Sequence, residues 1–221
     1  MSQITPPDKH DFEPREPEDE KEGALARFMN WVVSTDPVQV KAYVDKLRDQ
    51  NKGISDDDLA RKIVRRKAFK NGLLGAASGF PGILALPATI PADLVGSWRI
   101  QAFMAISIAY VYGQTSQTTD LKTDVYLIMA GDSATEAVKR LGIEVGKTLT
   151  RKAVQKYMTR EIMVKIWSVL GRKIITKAGE KSLTSFMRMV PIIGAPIGFA
   201  FDWAATRTIG HLAIDYYSGK A

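Results

Sequence analysis

Twenty-two consecutive residues between Lys70 and Asp93 carry no charge, and a second uncharged run covers Ile100 to Thr119. The first run contains Gly72, Gly75, Gly79, Gly82, Pro81, Pro87 and Pro91. Proline removes a helical hydrogen bond and glycine lowers helix propensity, so this run cannot be one straight helix. The second run has neither Gly nor Pro before Gly113 and is apolar on nearly every face. A helix of that kind is either the centre of a helical domain or a piece of membrane. Every other reading of the chain depends on which.

A chain of 221 residues suits one domain with a tail, and is long enough to bury a substantial core. With no cysteine, a disulfide framework, a thiolate metal site and a Cys nucleophile are excluded. The first residues lack a basic n-region and an apolar h-region, so no secretory signal is expected and a cytoplasmic location is. Net charge is +7 but uneven. Residues 1–22 hold eight acids against three bases, a net −5, which leaves +12 on the remainder. An acidic tail on a basic body suggests anionic partners for the body, with the tail either a competitor for the same surface or a solubilising leader.

Residues 1–23, with Pro6, Pro7, Pro14 and Pro17 among the acids, read as disordered, and 24–221 as a helical domain. Leu25, Phe28, Met29 and Val32 recur with helical spacing. Asp36 and Pro37 form an N-cap and first helical residue, predicting a helix to about Gln50, after which Gly53 breaks the chain. Ser55 with Asp58 resembles a capping box, opening a helix striped by Leu59, Ile63 and Val64. Asp56, Asp57 and Asp58 suit its positive end as capping residues. The helix is expected to end in a basic run, Arg61, Lys62, Arg65, Arg66, Lys67 and Lys70, whose side-by-side rows form a cationic arc.

Basic residues abutting an apolar segment attract an anionic membrane surface, whereas most charge runs are solvated helix faces. The long apolar helix is predicted from Pro91 through Tyr112, and another from Thr119 or Asp120 through Met129. A further helix starts near Ser133. Twelve basic residues between Lys139 and Lys181 accompany an apolar period of about four, predicting cationic amphipathic helices. The segment from Pro191 to Tyr217 is again apolar. No period-two strand occurs, so the expected class is all-α, a compact multi-helix domain around a Gly/Pro-rich helical hairpin.

Catalytic signatures are missing. Gly142 and Gly146-Lys147-Thr148 have three intervening residues where a phosphate loop needs four, and no strand precedes them. Two histidines and no cysteine make a metal site implausible, and His211 reads as a packed or surface residue. No cofactor is expected. Glycines four apart recur at Gly75/Gly79, Gly142/Gly146 and Gly194/Gly198, predicting close backbone contact between the segments around Gly75 and Gly194. Asp93, Arg99, Gln101, Asp202 and Arg207 interrupt apolar helices and should form a buried polar network, with Asp93–Arg207 and Asp202–Arg99 the economical pairs. Nucleic acid is not expected, because aromatic residues are not interleaved with the basic ones.

Gly75, Gly79-Phe-Pro81-Gly82, Pro91-Ala-Asp93-Leu94, Arg99-Ile-Gln101, Ile108-Ala109 and Tyr112-Gly113, taken in order, resemble the signature of EcsC-family proteins. Val190-Pro191, Gly194, Gly198, Asp202, Thr206-Arg207, Gly210, Ala213 and Tyr216-Tyr217 are similar to the family's C-terminal motif. A related helical domain is attached to some bacterial GTPases. The resemblance spans about 55–218. It implies a bacterial, mostly helical protein without established enzymatic activity, and a transport-related context, since the family name comes from a protein encoded beside an ABC transporter.

Three functional expectations follow. The first is a non-enzymatic, membrane-associated regulator or adaptor at the inner face of the cytoplasmic membrane, binding anionic lipid through Arg61–Lys70 and a transporter or GTPase partner. The second is an integral or pore-forming protein inserting residues 72–112, a length that fits a bilayer but includes prolines and charges. The third is a lipid-binding protein or enzyme with a pocket near Asp93, Arg99 and Gln101.

Overall fold

In the computed structural model of the protein, the described residues are 27, 30–77, 92–114, 119–131 and 191–219. Five helices have both ends among them, α1 Pro37–Asp49, α2 Asp56–Ala77, α3 Ala92–Val111, α4 Thr119–Ala130 and α5 Pro191–Ser218, and residues 30–33 are helical as well. None of these residues is in a strand, and the class is all-α. The acidic tail, the Gly/Pro stretch 78–91, the helix expected after Ser133 and the basic helices of 139–181 lie outside the described residues.

Local chemistry sets the helix ends. Asp36 Oδ1 accepts the Val38 N–H at 2.9 Å, and Pro37 occupies the first turn, where its missing N–H costs nothing. Beyond α1 the chain turns at Gly53, whose φ of +79° suits glycine. Ser55 Oγ then accepts the Asp58 N–H at 3.1 Å and donates to Asp58 Oδ2 at 2.8 Å, a cap on α2 built from the predicted pair. Arg48 donates to Asp56 at 2.8 Å and ties the end of α1 to the start of α2.

One expectation about α2 is corrected. The helix does not end in the basic run but continues about two turns past Lys70, through Gly72 and Gly75 to Ala77. The two glycines lower helix propensity, and tertiary packing overrides that preference. They face α5, which makes its most extensive contacts with α2. A methyl group on Gly75 would stand 2.4 Å from the Gly198 carbonyl oxygen, and one on Gly198 would stand 2.3 Å from that of Gly75. Backbone meets backbone there. The contact expected around Gly75 and Gly194 is made by Gly198, one turn further along α5. Gly72 faces the Phe199 ring and Gly210 faces Val64, so α2 and α5 run antiparallel with small residues along the seam.

α3 is a central helix among those described. It contacts α1, α2, α4 and α5, and buries Trp98, Ala102, Met104, Ala105, Ile106, Ile108, Ala109 and Val111. It is apolar all round because helices surround it, and each large aliphatic side chain it buries stabilises the fold by about 1.5–3 kcal/mol. Among the described residues no helix is long and apolar enough to cross a membrane.

Three tyrosine hydroxyls tie separate segments together. Tyr112 donates to Asp57 at 2.7 Å, linking the end of α3 to the first turn of α2, so Asp57 serves as more than a charge at the helix terminus. Tyr216 of α5 donates to the buried Asp124 of α4 at 2.6 Å. Tyr126 bonds Asn30 at 3.0 Å, and burial pushes its phenol up to about 12.

Gly75→Ala should destabilise the protein by more than about 2 kcal/mol in urea unfolding, because a backbone carbonyl cannot step aside. Gly96→Ala should change stability by no more than about 1 kcal/mol, since its new methyl meets only the movable end of Leu74 and alanine favours the helix.

Candidate anion-binding surface

Of the residues expected to form a buried polar network, the structure places Gln101 and Asp202 in the core. Gln101 belongs to a seam where α2, α3 and α5 meet. Asn71 Nδ2 donates to Ser97 Oγ and Thr206 Oγ1, both at 2.7 Å, and Gln101 Nε2 reaches Thr206 Oγ1 at 3.3 Å and Ser97 Oγ at 3.5 Å. All four side chains are buried. Asp202, one turn before Thr206, is packed against Gly75. Hydrogen bonds of this kind specify register, since sliding any helix by a residue leaves buried polar groups unpaired.

Arg99 and Arg207 sit at the rim of this core, both only partly buried. The Arg99 guanidinium lies over the Trp31 ring at 4.6 Å and that of Arg207 over Trp203 at 4.8 Å. Stacking on an indole satisfies a cation while leaving its N–H groups open to solvent. Asp93 falls within α3, but its side chain lies outside the described residues.

The six cations of the α2 arc separate into three environments. Lys67 is tucked between Tyr43 and Phe103, its ammonium 4.1 and 3.9 Å from the ring centroids. Burial, then the charge of Lys70, lowers its pKa to about 8. The rings attract the charged form and oppose part of that effect.

Arg66 and Lys70 are exposed and share a face with two exposed apolar residues, Phe69 and Leu73. The spacing 66, 69, 70 and 73 is i, i+3, i+4, i+7, which places all four on one stripe. Phe69 and Leu73 are 56% and 52% exposed, and on the facing end of α5 Ile197 and Phe201 are 48% and 47% exposed. The Phe69 ring packs edge-on against Phe199 at 5.8 Å, joining the two helices at this end.

Arg61, Lys62 and Arg65 line a cleft of about 440 Å³ between α2 and α5, together with Ile54, Asp58, Val64, Arg207 and His211. The antiparallel register that seats Gly210 on Val64 brings the Arg61/Arg65 pair opposite the Arg207/His211 pair. Arg61 contacts Asp58 at 3.3 Å, and Lys62 donates to Asn51.

Reading the sequence did not anticipate that His211 and Arg207 would join the basic arc, nor that Asn71, Ser97 and Thr206 would complete the polar seam. The available signal was polar residues four apart inside apolar helices: Ser97 with Gln101, Asp202 with Thr206, Arg207 with His211.

These features define a helical domain held by a glycine-lined crossing, with cations and exposed apolar side chains along the crossed pair. The chain belongs to the EcsC protein family, whose model matches residues 27–219. The match begins before α1, earlier than the motifs from residue 55 onward indicate, and leaves the acidic tail outside. Searches among curated proteins and among solved structures returned no match.

Linkage gives Lys67 a distinctive pH signature. Between about 8 and the ordinary 10.5, the folded protein releases this proton while the unfolded chain retains it. Stability contributed by this site therefore rises with pH across that window. Urea unfolding of the parent and of Lys67→Met should show the variant's relative advantage shrinking as pH rises from about 7 to about 10.

Proposed function

We propose that this protein is a non-enzymatic, peripheral membrane-binding protein that docks on anionic lipid through the end of the α2/α5 pair. The observation that carries the reading is the exposed stripe Arg66, Phe69, Lys70 and Leu73 along α2. Exposed aromatic and aliphatic side chains in one patch mark an interaction surface. Cations interleaved with them favour an interface with apolar depth and negative headgroups over a neutral protein surface. The inner face of the cytoplasmic membrane meets that description, and there a transporter or GTPase partner would encounter the bound protein.

The chemistry divides the work. Phe69 and Leu73 would enter the boundary between headgroups and acyl chains, which amphipathic surfaces penetrate by about 5–10 Å. Arg66 and Lys70 would remain at headgroup level by extending their charged ends, each adding about 1 kcal/mol near an anionic surface. Lys67, held between two rings, contributes little attraction.

The reading of an integral or pore-forming protein gains no support from α3, which is enclosed by other helices. A pocket at Asp93, Arg99 and Gln101 is likewise not favoured, since Gln101 is bonded within the core and Arg99 lies on Trp31.

Sedimentation with vesicles tests the reading. The full chain should be recovered with anionic vesicles and not with neutral ones, and high salt should release it. Arg66→Gln with Lys70→Gln should weaken recovery about thirtyfold, the equivalent of about 2 kcal/mol. Phe69→Ser with Leu73→Ser should weaken it already at low salt, and Lys67→Met should leave it unchanged. Equal recovery with both vesicle types, or none with either, overturns the proposal.

A further inference from the structure

The geometry points to the cleft between α2 and α5 as a binding site for a multiply charged phosphate anion, separate from the membrane-docking stripe. Four basic side chains line it, Arg61, Lys62, Arg65 and Arg207, against one carboxylate, Asp58. Four cations and one acid leave a charge of +3. His211, counted as neutral, offers a further N–H from whichever ring nitrogen carries its proton. The volume of about 440 Å³ admits a ligand of more than a few atoms.

The frame is built from two helices. Arg61 and Arg65 stand one turn apart on α2, and Arg207 and His211 one turn apart on α5. Antiparallel packing sets the two pairs face to face, with Lys62 on the flank. Val64, seated on Gly210, and Ile54 supply apolar lining. Three of the four cations already have a partner. Asp58 holds Arg61 and is itself bonded by Ser55, Asn51 holds Lys62, and the Trp203 ring supports Arg207. Side chains already held in place lose less freedom when a ligand arrives.

Guanidinium groups each carry up to five N–H donors in a planar fork, which matches phosphate oxygens in pairs. Like charges crowded into one cleft repel, and a singly charged anion leaves most of that repulsion in place. An anion near −3 removes it. A phosphomonoester carries about −1.5 to −2 near neutral pH. The fitting class is therefore a phosphomonoester or a pyrophosphate, whose roughly two to three negative charges remove most of that repulsion. Two sources share this chemistry: a soluble phosphorylated metabolite, and a lipid whose headgroup carries a phosphomonoester.

The test uses the full chain and two probes. In calorimetry, inorganic pyrophosphate should bind the parent, and Arg65→Gln or Arg207→Gln should weaken binding about tenfold or more. Lys122→Gln, on α4, should leave it unchanged, and circular dichroism should confirm that all variants stay folded. In sedimentation, vesicles containing phosphatidic acid are compared with phosphatidylglycerol vesicles of equal surface charge. A preference for phosphatidic acid that Arg207→Gln abolishes and pyrophosphate competes away assigns a lipid headgroup. Pyrophosphate binding without that preference assigns a soluble ligand.

Phe69→Ser with Leu73→Ser should retain pyrophosphate binding, so failure of the docking stripe is distinguishable from failure of the cleft. Absence of both pyrophosphate binding and the phosphatidic acid preference overturns the proposal. So does binding that folded Arg65→Gln and Arg207→Gln leave untouched.

Discussion

Gly75 and Gly198 hold two helices at a separation that no side chain permits. With a hydrogen at both positions, the backbone of α2 rests on the backbone of α5, and neither carbonyl has room to retreat. Close approach multiplies weak dispersion contacts along the whole pair, which offsets the poor helix propensity of the glycines. Gly72 and Gly210 extend the same geometry to Phe199 and Val64. Because the two helices approach this closely, their register is fixed by shape before any polar group is considered.

From that register the polar features follow. Asn71, Ser97, Gln101 and Thr206 meet only if α2, α3 and α5 are aligned as the glycine contact aligns them. Two kinds of specification thus agree, steric along the seam and hydrogen-bonding across it, and agreement between levels is what gives a sequence one native packing. The same alignment carries outward to the surface. Arg61 and Arg65 face Arg207 and His211 because their helices are locked antiparallel, and Phe69 meets Phe199 for the same reason.

The surface shows how little a charge count says about function. Six cations on α2 form one arc in projection, yet they do three different things. Lys67 is drawn between aromatic rings by a favourable quadrupole, at the expense of its own basicity. Arg66 and Lys70 remain in solvent among exposed apolar groups. Arg61, Lys62 and Arg65 line the cleft between α2 and α5. The differences come from neighbours on α1, α3 and α5, which lie far away in the chain.

Much of the fold was legible because its signals are local. Asp36-Pro37, Gly53 and the Ser55/Asp58 pair act through backbone groups a few residues away, so the two ends of α1 and the start of α2 could be read from spacing alone. The all-α class followed from periodicity, and the family from the order of motifs. Residues 70–77 were misread because glycine opposes a helix locally and favours one only when another backbone lies against it. The apolar character of α3 was equally ambiguous in one dimension, since lipid and protein interiors select the same side chains. In the tertiary structure α3 is packed among other helices, and Arg207 and His211 stand beside Arg61 and Arg65. By itself the sequence determined where helices begin, their apolar faces and the family. Only the packed structure decided which residues meet, because contacts across more than a hundred residues depend on the closeness that paired glycines allow.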